Sequence, residues 1–331
     1  MSDQLALFDT APIEEPNPWA VQLQRTHDGA REIASHLPPN VYFGTSSWSF
    51  PGWKGLVFSG ARTQTSLARE GLADYAQHPL LTTVGVDRSY YAPMPMEDLR
   101  SWAGQLPEGF RCCFKAPASV TAMALGHPSR PSHNPDFLSV DRLIDDLLGP
   151  CDAVFRPHTG PIVLEFPPFP RSLRVEPTAF LEQLDRFLGQ LPQSFEYAAE
   201  IRDARLLTPA YRTLLTSHGV AHTYNYWSAM PMPADQATVV PPEDGPFAVV
   251  RLLLRPGTWY EDQREKFAPF DRIAEPDEAM RRDVVSIARR VVNRGRRVFI
   301  LVNNKAEGSS PLTVAALAKQ LAEAGDIERR T

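Results

Sequence analysis

Cysteine is nearly missing: Cys112, Cys113 and Cys151 are the only three in 331 residues. No CxxC pair or Cys/His cluster occurs, which argues against a structural zinc site. Cys112 and Cys113 are neighbours on a predicted strand, so they point to opposite faces and do not pair. A sparse, odd set of this kind fits a reducing cytoplasm. Long apolar runs are missing too, so no segment reads as membrane-spanning, and Met1-Ser2-Asp3-Gln4 lacks the basic start and apolar core of a signal peptide. The expectation is a soluble, cytoplasmic protein with no membrane partner. Positive charge is not in excess: the formal net charge is -5, which argues against a body that binds nucleic acid electrostatically. The 43% hydrophobic content supports a sizeable core and excludes a disordered, solvating chain. No glycine-rich phosphate fingerprint follows the first predicted strand, which argues against a dinucleotide-binding sheet.

What the chain does have is a recurring pattern. From residue 41, short apolar, β-branched runs alternate with polar loops and helical periodicity. Strands are predicted over 41–46, 82–87, 111–117, 161–167, 197–203, 219–226, 247–254 and 296–304. Helical patterns cover 66–77, 96–105, 138–148, 177–191, 209–218, 277–293 and 311–324. The stretch 227–245, rich in Pro and Met, predicts a long loop in place of a helix. This alternation over 41–325 predicts a single (β/α)8 TIM-type barrel, with a doubly wound open sheet as the runner-up. Residues 1–40 read as a flexible N-terminal extension with a short amphipathic helix over 21–36, and 326–331 as a C-terminal tail.

Barrel enzymes carry their chemistry at the C-terminal ends of the strands. Polar residues recur there: Trp48 and Lys54 after strand 1, Asp87 ending strand 2, Lys115 late in strand 3 and Glu165 late in strand 4. Glu200 and Arg202 lie in strand 5, Asn225 in strand 6, Arg251 in strand 7, and Asn303 and Asn304 end strand 8. Alternation of side chains places Lys115 with Cys113, Glu165 with Val163, and Glu200 with Arg202 on shared faces, turned toward the barrel axis.

The ordered motifs resemble the domain-of-unknown-function 72 family, also called YecE-like. Its opening Gly-Thr-Ser-Gly-Trp-Ser-Tyr-Pro-x-Trp-Lys-Gly pattern is matched by Gly44-Thr45-Ser46-Ser47-Trp48-Ser49-Phe50-Pro51-Gly52-Trp53-Lys54-Gly55. Further matches fall at 84–93, 110–117, 160–168, 198–202, 250–252 and 302–304. The resemblance spans roughly 41–325 and implies a (β/α)8 barrel but no established reaction. Departures from the pattern are Gly85 for a Glu, Asp87 for an Asn, Glu165 for a Gln, Asn225 for an Asp and Leu253 for a His. They move carboxylates around the rim and remove an imidazole.

The residues leave chemical alternatives open. Glu200 with Arg202 reads as a base and an anion clamp, or as a buried ion pair that fixes the barrel register. Glu165 and Glu200 on adjacent strands read as an acid–base pair, or as one core and one rim carboxylate. Asp87 joins them as a third candidate catalytic carboxylate. Lys115 and Arg251 read as ligands for a substrate anion or counter-ions to the carboxylates; a Schiff base at Lys115 is the less favoured alternative. Trp48, Lys54, Asn303 and Asn304 complete the candidate ligand-binding set. Without an inward His no tightly held metal is expected, and Mg²⁺ supported by Asn303 and Asp87 is the single cofactor considered. The first expectation is an enzyme, a hydrolase or other acid–base catalyst, or an enzyme-derived binder. Its ligand is a small anionic or polyhydroxylated molecule in the barrel mouth.

One tail motif points elsewhere. Gln4-Leu5-Ala6-Leu7-Phe8 resembles the Gln-Leu-x-Leu-Phe pentapeptide of bacterial sliding-clamp partners, with Gln4, Leu5, Leu7 and Phe8 as anchors. The second expectation is therefore a clamp-tethered DNA-maintenance protein, a nuclease or an adaptor. The bland alternative is a hydrophobic tail packing on its own domain.

Overall fold

Eight parallel strands close into a ring in the computed structural model, which describes residues 17–127, 130–169 and 175–330. In chain order the strands are β1 (Val41–Thr45), β2 (Thr83–Val86), β3 (Arg111–Lys115), a hairpin of β4 (Ala124–His127) and β5 (Arg130–His133), β6 (Thr159–Phe166), β7 (Tyr197–Ile201), β8 (Ala221–Tyr226), β9 (Ala248–Leu252) and β10 (Val298–Val302). The hairpin stands apart, and the others run β1-β2-β3-β6-β7-β8-β9-β10 around the ring. This is the (β/α)8 barrel expected, and each barrel strand overlaps its predicted segment. The hairpin was not expected, because its prolines and polar residues show no strand alternation.

Two apolar layers follow from the period-2 alternation. One face of each strand packs outward on the helices, through residues such as Phe114, Leu164, Phe166 and Ile300. The other face fills the barrel with Cys113, Val163, Ala198, Ala221, Phe247, Val249, Phe299 and Leu301. Tyr42 stacks on Phe299 at 4.6 Å between ring centroids, in this same layer. The interior is therefore a filled core, and the buried charged side chains of Glu165, Glu200 and Arg251 occupy its C-terminal end. Cys112, Cys113 and Cys151 are free and buried. His222, on the outward face of β8, hydrogen-bonds Tyr211 and Gln236, and burial lowers its pKa to about 4, so it is a neutral core histidine.

Three segments differ from expectation. The stretch 227–245 contains a helix, Pro233–Val239, where a loop was expected. Proline is tolerated in a first helical turn, so the Pro-rich composition concealed it. Its Gln236 is buried and donates to the Asn225 carbonyl at 2.6 Å, tying the helix to β8. The last helix, Ser310–Arg330, runs on through residues read as a tail. The amphipathic helix near the N-terminus exists, as Pro18–Ser35, but it is docked on the last helix. Thr26 donates to the Gly55 carbonyl at 3.0 Å and Asn17 to the Ser59 carbonyl at 2.9 Å, clasping the loop after β1. Among the described residues no helix is long and apolar enough to cross a membrane.

Glycine is required at one point of barrel closure. A Cβ on Gly44 would sit 2.0 Å from the Thr83 carbonyl oxygen of the adjacent strand. Gly29, in the exposed N-terminal helix, has nothing within 4 Å of such a Cβ. Chemical denaturation should show Gly44→Ala destabilised by about 3 kcal/mol or more. Gly29→Ala should be stabilised by up to about 1 kcal/mol.

Candidate functional site

Strand register sets one polar layer at the C-terminal end of the barrel. Glu165 on β6 lies opposite Glu200 on β7, and Asn225 on β8 lies opposite Arg251 on β9. Lys115 ends β3, Asp87 follows β2, and Arg202 follows β7. All six charged side chains converge. Glu165 Oε2 accepts from Arg202 Nη2 at 2.6 Å and Arg251 Nη1 at 2.9 Å, and lies 2.9 Å from Lys115 Nζ. Arg202 Nε also donates to Glu200 Oε1 at 2.9 Å, so one guanidinium bridges two carboxylates. Arg251 bonds Glu200 Oε2 as well and reaches Asp87 Oδ1 at 3.0 Å.

Electrostatics follow from this geometry. Burial alone would raise the pKa of Glu165, but Arg202, Lys115 and Arg251 outweigh it and hold the carboxyl at about 2. Burial works against the Arg251 charge, and Glu200, Asp87 and Glu165 more than offset it, so the guanidinium stays charged. Lys115 is pulled below its ordinary value by burial, against the opposing effect of Glu165 and Asp87. Its Nζ sits 3.7 Å from the centre of the Tyr90 ring, and Arg202 lies 4.1 Å over Trp227. Three cations thus face three carboxylates. Depth separates them: Glu200 is fully buried, whereas the Asp87 side chain is 35% exposed.

Comparison with known proteins places this barrel. The family described as "Protein of unknown function DUF72" matches residues 42–330. The chain belongs to the DUF72 family. It is 29% identical over 164 residues to UPF0759 protein YecE of Escherichia coli (strain K12), and equally to that of Escherichia coli O157:H7. That match takes in 49% of this chain, and the chain spans about half the length of the curated relatives it matches, 48%. A DUF72 family protein of Thermotoga maritima MSB8 superposes with a TM-score of 0.56 at 19% identity, over 86% of this chain and 99% of that one. One from Enterococcus faecalis V583 gives 0.56 at 15% identity, over 86% and 95%. At such identities the structures share a fold.

Within the DUF72 barrel, four expected ligand contacts are engaged elsewhere. Trp48 is buried; its Nε1 donates to the Leu67 carbonyl at 3.0 Å and its ring meets Trp102 edge-on, so it packs beneath the helices. Lys54 lies 4.5 Å over the ring of Trp19, held by the docked N-terminal helix. Asn304 Oδ1 accepts from Trp53 Nε1 and from Ser310 N, capping the last helix. Asn303 Oδ1 accepts from Lys305 N in a turn. Among the described residues no group of three or more His, Cys, Asp or Glu is placed to hold a metal ion. Residues 4–8 lie outside the described residues.

Tyr90, Tyr91 and Trp227 were not singled out from sequence, yet they lie against the cations of the cluster, and Tyr260 and Lys305 pair with each other. The Tyr90-Tyr91 pair directly after β2 and Trp227 directly after β8 were the available signals. Asn225, placed from sequence among the polar strand ends, donates to the Ile201 carbonyl at 2.8 Å and joins β8 to β7.

Glu165→Gln should lower stability at pH 7 by about 3–5 kcal/mol, because it strands buried cations. The native carboxyl titrates at about 2 and the unfolded one near 4.5, so its contribution is full above 4.5 and is lost as pH falls toward 2. Urea denaturation between pH 2 and 7 should show that loss in the wild type and a flatter profile in the variant.

Proposed function

We propose that the barrel mouth binds a small anionic molecule on the ammonium of Lys115 and the guanidinium of Arg202. The carrying observation is the three-cation grip on Glu165 Oε2. It fixes Lys115 and Arg202 in place without using all their donors. Arg202 Nη1 has no partner among the described residues, and Lys115 Nζ has one carboxylate, Glu165, and the rings of Tyr90 and Tyr91. Preorganised, partly dehydrated donors of this kind suit a carboxylate or phosphate. The rings beside Lys115 extend the site: Tyr91, which ends the short helix Arg88–Tyr91 after β2, is 79% exposed. A large ring left in water beside a charged pocket supports stacking on a planar or polyhydroxylated ligand.

Proton transfer in this reading falls to Asp87. A carboxyl held near 2 is a weak base, and Glu200 is enclosed between Arg202 and Arg251. Both glutamates then act as positioning residues for the cations. Asp87 is the accessible carboxylate, with Oδ1 on Arg251 and Oδ2 unpartnered among the described residues. Titration calorimetry with inorganic phosphate and small carboxylates tests the site. Lys115→Met and Arg202→Ala should each weaken binding about tenfold or more. Unchanged affinity in both folded variants would remove the assignment. Asp87→Asn should bind but lose any turnover.

The pentapeptide at residues 4–8 supports a second proposal, independent of the mouth: attachment to a bacterial DNA sliding clamp. Pull-down with a purified clamp should retain the intact chain and lose Leu7→Ala/Phe8→Ala; equal retention would remove it.

A further inference from the structure

The six-membered cluster is internally neutral, and one more lysine follows β10 at the same end of the barrel. Lys305, in the loop after β10, is buried at 8% exposure, with no carboxylate partner among the described residues. Its Nζ lies 4.2 Å from the centre of the Tyr260 ring, and its backbone is held by the Asn303 turn. A covered lysine stem with no carboxylate beside its ammonium leaves one aromatic face and residual water to satisfy that charge. A protein retains such a group at low cost where a bound anion completes it.

An aromatic path joins Lys305 to the floor of the mouth. Tyr260 shares its ring face with Lys305 and lies within electrostatic reach of Tyr91. Tyr91 meets Tyr90 edge-on at 5.2 Å, and both rings neighbour Lys115 Nζ, at 6.0 and 3.7 Å. Tyr260 opens the helix Tyr260–Phe267 after the seventh barrel strand and Lys305 lies in the loop after the eighth, the segments that commonly hold anionic groups in this fold. Both cationic positions therefore follow barrel strands at their C-terminal ends, and each has an aromatic ring beside it.

We infer that the ligand of this site carries two anionic groups, one on Lys115 and Arg202 and the other on Lys305, joined by a short middle that lies against Tyr91 and Tyr260. The class is a small dicarboxylate, bisphosphate or phosphorylated acid. This inference rests on the anion-binding reading above and deepens it.

Titration calorimetry on the full chain separates the two. The probes are malonate, succinate, glutarate and adipate against acetate and butyrate, and pyrophosphate against inorganic phosphate. At least one two-ended probe should bind about tenfold or more tighter than its one-ended counterpart. Lys305→Met should abolish that advantage while leaving one-ended binding within about twofold, and Lys305→Arg should keep most of it. Lys115→Met should weaken both kinds of probe. Whether the carboxylate or the phosphate series shows the advantage identifies the end groups. Equal affinity for one- and two-ended probes, or an equal loss for both in Lys305→Met, overturns the inference and leaves the floor site standing. Failure of every anion to bind the wild type overturns the floor site and this inference together.

Discussion

Arg251 is a fully buried guanidinium shared among carboxylates from three other strands or their ends, and the top of the barrel depends on it. It touches Glu165 of β6, Glu200 of β7 and Asp87 after β2, so it crosses the barrel interior. A buried charge must be neutralised, and here neutralisation also fixes geometry. The apolar layers beneath it, from Tyr42 and Phe299 up to Cys113 and Val163, keep water out of the interior. The charges are consequently strong and local.

On the proposed anion-binding reading, the glutamates are scaffolding and the cations at the mouth are the working surface. Arg251 holds Glu165 and Glu200 from below; they in turn hold Arg202 and Lys115 under Trp227 and Tyr90. A ligand meets donors that were positioned before it arrived, so little ordering cost remains to be offset on binding. The departure of this chain from the family-like Gln to Glu165 then has a physical consequence. It supplies the carboxylate on which three cations converge.

Legibility in the sequence followed the range of the interactions involved. Alternation within a strand is local, so the inward faces of Lys115, Glu165 and Glu200 were readable, as was the C-terminal end as the place of polar convergence. Side chains on loops were not. Trp48 and Lys54 share one motif, but Trp48 is turned under by Leu67 and Trp102, and Lys54 is taken by Trp19 from a segment that read as a tail. Asn304 looked like a ligand contact because nothing local shows that Trp53 and Ser310 claim its oxygen. Lys305 follows two asparagines in an ordinary turn sequence; only its burial against Tyr260, from the segment after another strand, distinguishes it. Such contacts are tertiary and leave no periodic trace.

The keystone role of Arg251 is tested most directly by a double-mutant cycle with Glu200, read by chemical denaturation at pH 7. Arg251→Met and Glu200→Leu should each cost about 3–5 kcal/mol, since each strands buried charge. Together they should cost less than the sum by about 2 kcal/mol or more, because the second change removes what the first left unpaired. Losses that add to within about 0.5 kcal/mol, or single losses below about 1 kcal/mol, would contradict the account.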